Sequence, residues 1–257
     1  MLLINRDCLE AMPLLKSNSV DLIIADLPYG TTANAWDSII PFDLMWTELK
    51  RIIKPNGVVC LFGSEPFSSQ LRISNFEQYK YDWYWLKNRP TGFTQAKNKP
   101  LKNLELISIF SSGTTVHASQ SKNRMTYNPQ GLLPYNKTVN NSDSKFGNLQ
   151  GKRPSHKKTH FQEFTNYPKM TLEFDVVTGL HPTQKPVDLL EYLIATYSNE
   201  KETVLDFCMG SGSTGVAAKN LGRKFIGIER DDEYFEIAKT RLFKGGIGLG
   251  LQEEINF

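Results

Sequence analysis

TVLDFCMGSGSTGVAA, residues 203–218, is the stretch on which the fold turns. A hydrophobic strand is expected over Thr203–Phe207, carrying Asp206 near its end. Gly210-x-Gly212-x-x-Gly215 follows, and then a helix over Ser213–Leu221. Glycines so placed let the backbone pass close to a ligand and bring helix and strand together. A second strand, Lys224–Glu229, ends on an acid 19 residues beyond Gly210. That spacing suits hydrogen bonds to the two hydroxyls of a ribose. The pattern predicts the nucleotide-binding half of an α/β fold, with Phe207, Ser211, Ser213, Thr214 and Arg230 flanking the same loop and strand end.

Two cofactors compete for such a loop. A nicotinamide dinucleotide would lay its pyrophosphate at the helix N-terminus, where Asp206 repels it. S-adenosylmethionine brings a sulfonium and an amino acid there, and the ammonium of the latter welcomes the acid. Asp206 tilts the choice toward S-adenosylmethionine.

Only about thirty residues follow Glu229, too few for the remaining strands of an open sheet. Strand signals stand instead at the front of the chain, at Met1–Asn5, Val20–Ala25 and Gly57–Gly63, with helical spacing over Cys8–Lys16 and Phe42–Ile53. Further helices are expected over Val187–Tyr197 and Glu233–Leu242. Alternating strands and helices predict a Rossmann-like, mostly parallel sheet with helices on both faces. The sheet must be circularly permuted: its first two strands near the C-terminus and its third, fourth and fifth at the N-terminus. Ligands sit beyond the carboxyl ends of such strands. Asp7 and Cys8 then fall beside an adenine, and Asp26-Leu27-Pro28-Tyr29 falls beside the glycine loop.

Composition narrows the class further. No window resembles a membrane span, and Arg6 and Asp7 interrupt the N-terminus too early for a signal peptide. Cys8, Cys60 and Cys208 lie in or beside apolar runs and read as reduced thiols, so a cytoplasmic, disulfide-free protein is expected. No histidine cluster has metal-ligand spacing. The net charge of +3 conceals a basic middle: between Lys87 and Lys169, 14 Lys and Arg face three acids. Such a stretch suits a polyanion. Its Ser, Thr, Asn and Gly content, with interleaved aromatics, sets it apart from the flanking α/β segments.

The order D-L-P-Y, basic insertion, H-P-T-Q-K-P, then D-F-x-x-G-S-G-S-T-G resembles the β group of amino-methylating DNA methyltransferases. The resemblance spans most of the chain outside roughly 111–178. It implies a circularly permuted S-adenosylmethionine-dependent methyltransferase fold: residues 1–110 as catalytic half, 111–178 as basic target-recognition insertion, 179–257 as cofactor half. The family pattern is more often D-P-P-Y; Leu27 departs from it at a place thought to act through its backbone carbonyl.

Carried over, Asp26 and the Leu27 carbonyl hold the target amine, Pro28 fixes the turn, and Tyr29 stacks on a base flipped out of the duplex. Transfer is direct, with no covalent cysteine. Thr183, Gln184 and Lys185 fall near the methionine end of the cofactor, Lys185 toward its carboxylate. Expected DNA contacts are Trp36, over the target base, and Lys87, Arg89, Lys97, Lys99, Lys102, Lys122, Arg124, Lys152 and Arg153. Trp83 and Trp85, sharing one strand face, read as core. The family's cytosine-N4 enzymes usually begin the motif with serine, so Asp26 favours adenine N6. Rivals are cytosine N4, a dehydrogenase, a non-catalytic nucleic-acid binder, and RNA as substrate. The expected partner is double-stranded DNA and no membrane, with a homodimer and a cognate restriction endonuclease as further candidates.

Overall fold

The computed structural model describes residues 1–30, 38–116, 122–140, 159–177 and 184–243. The chain divides into a main unit, residues 1–128 with 170–257, and a smaller unit, Pro129–Lys169.

The main unit is built on eight strands. In chain order they are β1 (Leu2–Asn5), β2 (Val20–Asp26), β3 (Ile53–Gly63), β4 (Tyr79–Thr91), β5 (Lys102–Phe110), β8 (Thr171–Glu173), β9 (Thr203–Asp206) and β10 (Lys224–Glu229). They are ordered β1-β10-β9-β2-β3-β5-β4-β8 across the sheet. From β1 to β3 every pairing is parallel; β5 runs antiparallel to both β3 and β4. The N-terminal strand thus lies beside the strand that follows the glycine loop, with Leu2 opposite Ile226 and Asn5 opposite Glu229. β2 takes the other side of β9, pairing Leu22 with Val204. This is the permuted order expected from the sequence.

Helices cover both faces. α1 (Cys8–Ala11), α2 (Phe42–Ile52) and α3 (Phe67–Ser74) pack on the side of Ile23, Ala25, Val59 and Leu61. α4 (Val187–Tyr197), α5 (Ser213–Asn220) and α6 (Asp232–Phe243) pack on the side of Leu22, Ile24, Val58 and Cys60. Because both faces are buried, β2 and β3 are nearly continuous apolar runs rather than alternating ones. Trp83 and Trp85 are 4% and 1% exposed and belong to the α4 face, as core residues. The helix expected over Cys8–Lys16 stops at Ala11, because Pro13 redirects the chain into a 3₁₀ turn at Met12–Leu14. No helix among the described residues is long and apolar enough to cross a membrane.

Within the smaller unit, β6 (Leu133–Asn140) and β7 (Thr159–Thr165) form an antiparallel pair running from Leu133–Thr165 to Asn140–Thr159. Nearly every residue of both strands is at least partly exposed. The expected insertion, 111–178, is wider than this unit. Strand β8 joins the main sheet beside β4, and the Asn128 N–H donates to the Thr196 carbonyl in the last turn of α4, so both flanks belong to the main unit.

Candidate active site

The carboxyl ends of β1, β2, β9 and β10 open into one cleft of about 630 Å³, within the range of small-molecule sites. The glycine loop forms one wall. Asp206 is 3% exposed; its Oδ2 accepts from the Thr214 hydroxyl at 2.6 Å and its Oδ1 from the Cys208 N–H at 3.0 Å. Burial, with smaller contributions from Asp26 and Glu229, outweighs those bonds and pushes its carboxyl up to about 7. Gly212 turns with φ +79° to start α5. At the end of β10, Glu229 accepts from the N–H groups of Gly210 (2.8 Å) and Asp231 (2.9 Å), which fixes its carboxylate against the loop.

Asp7 caps α1, its Oδ1 accepting from the Leu9 N–H at 2.8 Å, while its Oδ2 lies 3.8 Å from Arg230. Cys8 and Cys208 line the cleft, and their thiols hydrogen-bond each other; that bond lowers the Cys8 thiol and raises that of Cys208. Phe207 is buried beneath the loop. Arg241 of α6 braces the loop from behind, donating to the Ser211 carbonyl at 2.6 Å and reaching Ser213 Oγ at 3.3 Å. Sequence reasoning passed over Arg241, because nothing in its local pattern distinguishes it from a surface helix residue.

The opposite wall holds Asp26. Strand alternation puts it on the face of Leu22 and Ile24, toward the α4 side. Its Oδ1 accepts from the Tyr29 hydroxyl at 2.7 Å, and its Oδ2 is ion-paired with Lys185. Lys185 stands directly before Pro186, the N-cap of α4, and its ammonium also lies 3.1 Å from Glu105 Oε1 and 5.1 Å above the Phe62 ring. Glu105 in turn is ion-paired with Lys87, which sits 4.6 Å over the Trp85 ring. The antiparallel course of β5 places its beginning at the cleft, where Glu105 pairs across from Trp85.

These groups set one another's charge. Burial alone would raise Glu105, but Lys185 and Lys87 outweigh it and hold the carboxyl down at about 2. Burial likewise raises Asp26; Lys185 opposes this and the Glu105 charge adds to it, leaving the carboxyl above its usual range. Lys185 is drawn down by burial, and the two acids more than restore it. Tyr29 lies well above its normal range through burial and the neighbouring carboxylates. Its ring packs 5.1 Å from that of Phe67.

The structure therefore gathers Asp26, Leu27, Pro28, Tyr29, Asp7, Cys8, Gln184, Lys185, Asp206, Phe207, Gly210, Ser211, Ser213, Thr214, Glu229 and Arg230 around one cleft. Two expected contacts are engaged otherwise than foreseen. Lys87, read as a phosphate contact, spends its ammonium on Glu105, and Lys185, read as facing a cofactor carboxylate, spends its own on Asp26 and Glu105. The reason is shared: a buried acid at the start of β5 claims the nearest cations. Arg89 and Lys102 line the cleft, Lys102 bonded to the Ser64 hydroxyl, while Lys97, Lys99, Lys122 and Arg124 are exposed. Trp36, Thr183, Lys152 and Arg153 lie outside the described residues.

Comparison with known proteins agrees with this geometry. Residues 20–240 match the family model described as N6/N4 DNA methylase. The chain is 31% identical to the type II methyltransferase M2.LlaDCHI of Lactococcus lactis subsp. cremoris, over 95% of this chain and 90% of that protein. It is also 31% identical to the type II methyltransferase M2.DpnII of Streptococcus pneumoniae, over 94% of this chain and 89% of that protein. Among solved structures, the M1.HpyAVI–SAM complex superposes with a TM-score of 0.62 at 26% identity, covering 94% of this chain and 98% of that one. The cytosine-N4-specific PvuII DNA methyltransferase, 14% identical, shares the fold with a TM-score of 0.66, covering 96% of this chain and 87% of that one. A cleft between a glycine loop and a DLPY turn, on a permuted sheet and matched over most of its length, leads to one assignment: the chain belongs to the N6/N4 DNA methylases and is an S-adenosylmethionine-dependent DNA methyltransferase.

Proposed function

We propose that the enzyme methylates adenine at N6 in duplex DNA, on a base flipped into the cleft, with Asp26 and the Leu27 carbonyl holding the target amine. The observation that carries this reading is the seating of Asp26, at the end of β2, across the same cleft from the glycine loop on β9. The first position of the turn favours adenine, since the family's cytosine enzymes usually place serine there. The shared fold of the cytosine-N4 enzyme leaves that choice to the turn itself.

The residues present fit S-adenosylmethionine. Gln184 lines the cleft, and its Oε1 is buried with no partner among the described residues, an acceptor left open for an ammonium. Asp206 offers a buried carboxyl for the same charge, and Glu229 keeps lone pairs for ribose hydroxyls beyond those its backbone N–H donors use. Cys8 and Phe207 give an apolar side to an adenine ring. When bound, the cofactor supplies an electrophilic methyl group on a sulfonium.

What the chain supplies is position and charge. Asp26 accepts from the exocyclic N–H groups, so that the nitrogen lone pair leaves conjugation with the ring and points at the methyl group. Pro28 fixes the turn, and Tyr29 stays beside Asp26 with its ring available to the base. The bound cofactor would give up that methyl group to the nitrogen and keep the electrons of its carbon–sulfur bond. The nitrogen's surplus proton passes to Asp26, whose raised pKa suits it to receive one.

Target recognition is assigned to 111–178, of which 129–169 forms the compact part. Tyr135, Phe161, Phe164 and Tyr167 of that unit are exposed, as side chains that stack on or wedge between bases would be. Arg89, Lys97, Lys99, Lys102, Lys122 and Arg124 are the phosphate candidates. The reading extends to a cytoplasmic modification enzyme that shares its target with a restriction endonuclease, with a homodimer as a further candidate state; two relatives bear the name type II methyltransferase.

The test is transfer from labelled S-adenosylmethionine to mixed-sequence duplex DNA, with mass identification of the modified nucleoside after digestion. N6-methyladenine is expected. N4-methylcytosine would keep the mechanism and overturn the base, and label on RNA alone would overturn the substrate.

A further inference from the structure

Glu105 belongs to none of the motifs on which the family reading stands, yet Lys87, Lys185 and the Tyr29 hydroxyl all converge on it. It is 4% exposed. Lys87 takes its Oε2, and Lys185, at 3.1 Å, and the Tyr29 hydroxyl, at 3.2 Å, share its Oε1. Asp26 carries one donor on each oxygen: Tyr29 donates to Oδ1 and Lys185 to Oδ2. The Lys185 ammonium therefore shares the carboxylate to which a target amine would donate. Two acids and two ammonium groups cancel within this cluster.

Stability alone is a weak reason for such a cluster, because apolar packing of equal volume commonly does as well as a buried ion network. The chemistry gives a stronger one. Methyl transfer puts positive charge on the amine nitrogen, and an ammonium left on the same carboxylate opposes that charge. If the amine displaces Lys185 from Asp26, the ammonium must remain buried with a compensating anion close by. Glu105 is that anion, already in contact.

We infer that Glu105 is a positioning residue that retains Lys185 when the target amine takes its place on Asp26, so that the amine meets a carboxylate with no cation on it. The inference rests on the reading of Asp26 given under Proposed function. It separates from a purely structural role in one respect. A structural Glu105 shows its loss, and any recovery with Lys185 removed, in melting temperature and cofactor affinity as well, whereas a retaining Glu105 shows both in the transfer rate while affinity stays unchanged.

The experiment compares wild type, Glu105→Gln, Lys185→Met and the double variant in three measurements. These are melting temperature, calorimetric affinity for S-adenosylmethionine, and single-turnover methyl transfer to mixed-sequence duplex DNA. Glu105→Gln is expected to bind the cofactor within about threefold of wild type and to transfer on the order of 100-fold more slowly, as one uncompensated charge near the reacting nitrogen implies. Adding Lys185→Met is expected to recover about tenfold or more of that loss. A double variant no faster than Glu105→Gln, with wild-type cofactor affinity, overturns the inference. Should Glu105→Gln fail to fold, Glu105→Asp keeps the charge but draws it back by one methylene; it is expected to fall between wild type and the values above, and a wild-type rate would overturn the inference. Wild-type enzyme that binds the cofactor and methylates no DNA removes the reading beneath the inference, and the inference with it. Active wild type with no recovery in the double variant removes the inference alone.

Discussion

Asp206 has almost no access to water, and its two hydrogen bonds fail to offset that burial. With its carboxyl pushed up to about 7, the empty site is part-protonated at neutral pH. A ligand ammonium favours the ionised form and lowers that pKa on binding. Affinity for S-adenosylmethionine should thus be full above about pH 7 and fall by roughly tenfold per unit as pH drops below it. Calorimetric titration between about pH 5.5 and 8.5 checks this, and Asp206→Asn should remove the slope together with most of the affinity. Stability carries the opposite sign. The folded carboxyl binds its proton more tightly than an unfolded one near 3.9, so stability is lost as pH rises from about 4 to 7. The unliganded Asp206→Asn variant should therefore melt above wild type at about pH 8. At this scale the turn and the glycine loop were legible in the sequence, because their residue types are unusual for their places. Glu105 was legible in principle: an acid in LELISIF, a run otherwise fit for a fully buried strand, demands a cation. The identity of those cations was not, since β4 and the approach to α4 meet β5 only in the folded sheet.

Elements divide by how much apolar pattern they carry. β2, β3, β9, β10 and α4 are buried enough that hydrophobic runs and periods mark them, and the expected bounds of α4 and β10 match the structure. α3 escaped notice because FSSQLRIS buries only Phe67, Ser68 and Leu71 and carries no capping residue. β6 and β7 escaped because strands exposed on both sides leave no alternation to read. The helix after the glycine loop offers a test at this scale. A Cβ on Gly215 would lie 2.7 Å from the Phe225 ring and 2.8 Å from both Leu242 methyl carbons. Gly215→Ala should therefore cost about 1–3 kcal/mol through overpacking and lower the melting temperature by roughly 2–10 °C. Because α5 starts at the loop, weaker cofactor binding should accompany it. An unchanged melting temperature would show that α5, β10 and α6 are packed less tightly than this geometry states.

At the scale of the molecule, chain order and spatial order differ, yet the site is whole. β1 and β2, from the front of the chain, flank β10 and β9 from its far end, and their carboxyl ends share one cleft. The permutation was legible because strand signals at Met1–Asn5, Val20–Ala25 and Gly57–Gly63 precede the glycine loop in the chain. The basic middle was equally plain in composition, whereas its target sequence was not, since base recognition depends on side chains placed against a particular duplex. Binding to mixed-sequence duplex DNA should fall by about 10³-fold or more between 50 and 200 mM salt if six or more phosphates are contacted. Neutralising Lys97, Lys99 and Lys102 together should flatten that slope, measured by fluorescence anisotropy. A slope unchanged in the triple variant would remove these lysines from the DNA-contacting surface.

The central claim is that Asp26 acts on the base and leaves the cofactor to the opposite wall. Paired measurement of S-adenosylmethionine affinity and single-turnover methyl transfer in Asp26→Ala tests it most directly. The account predicts affinity within about threefold of wild type and transfer slower by a factor on the order of 10³ or more. Lost affinity with a residual transfer rate near wild type would contradict it, and would place Asp26 in the cofactor site instead.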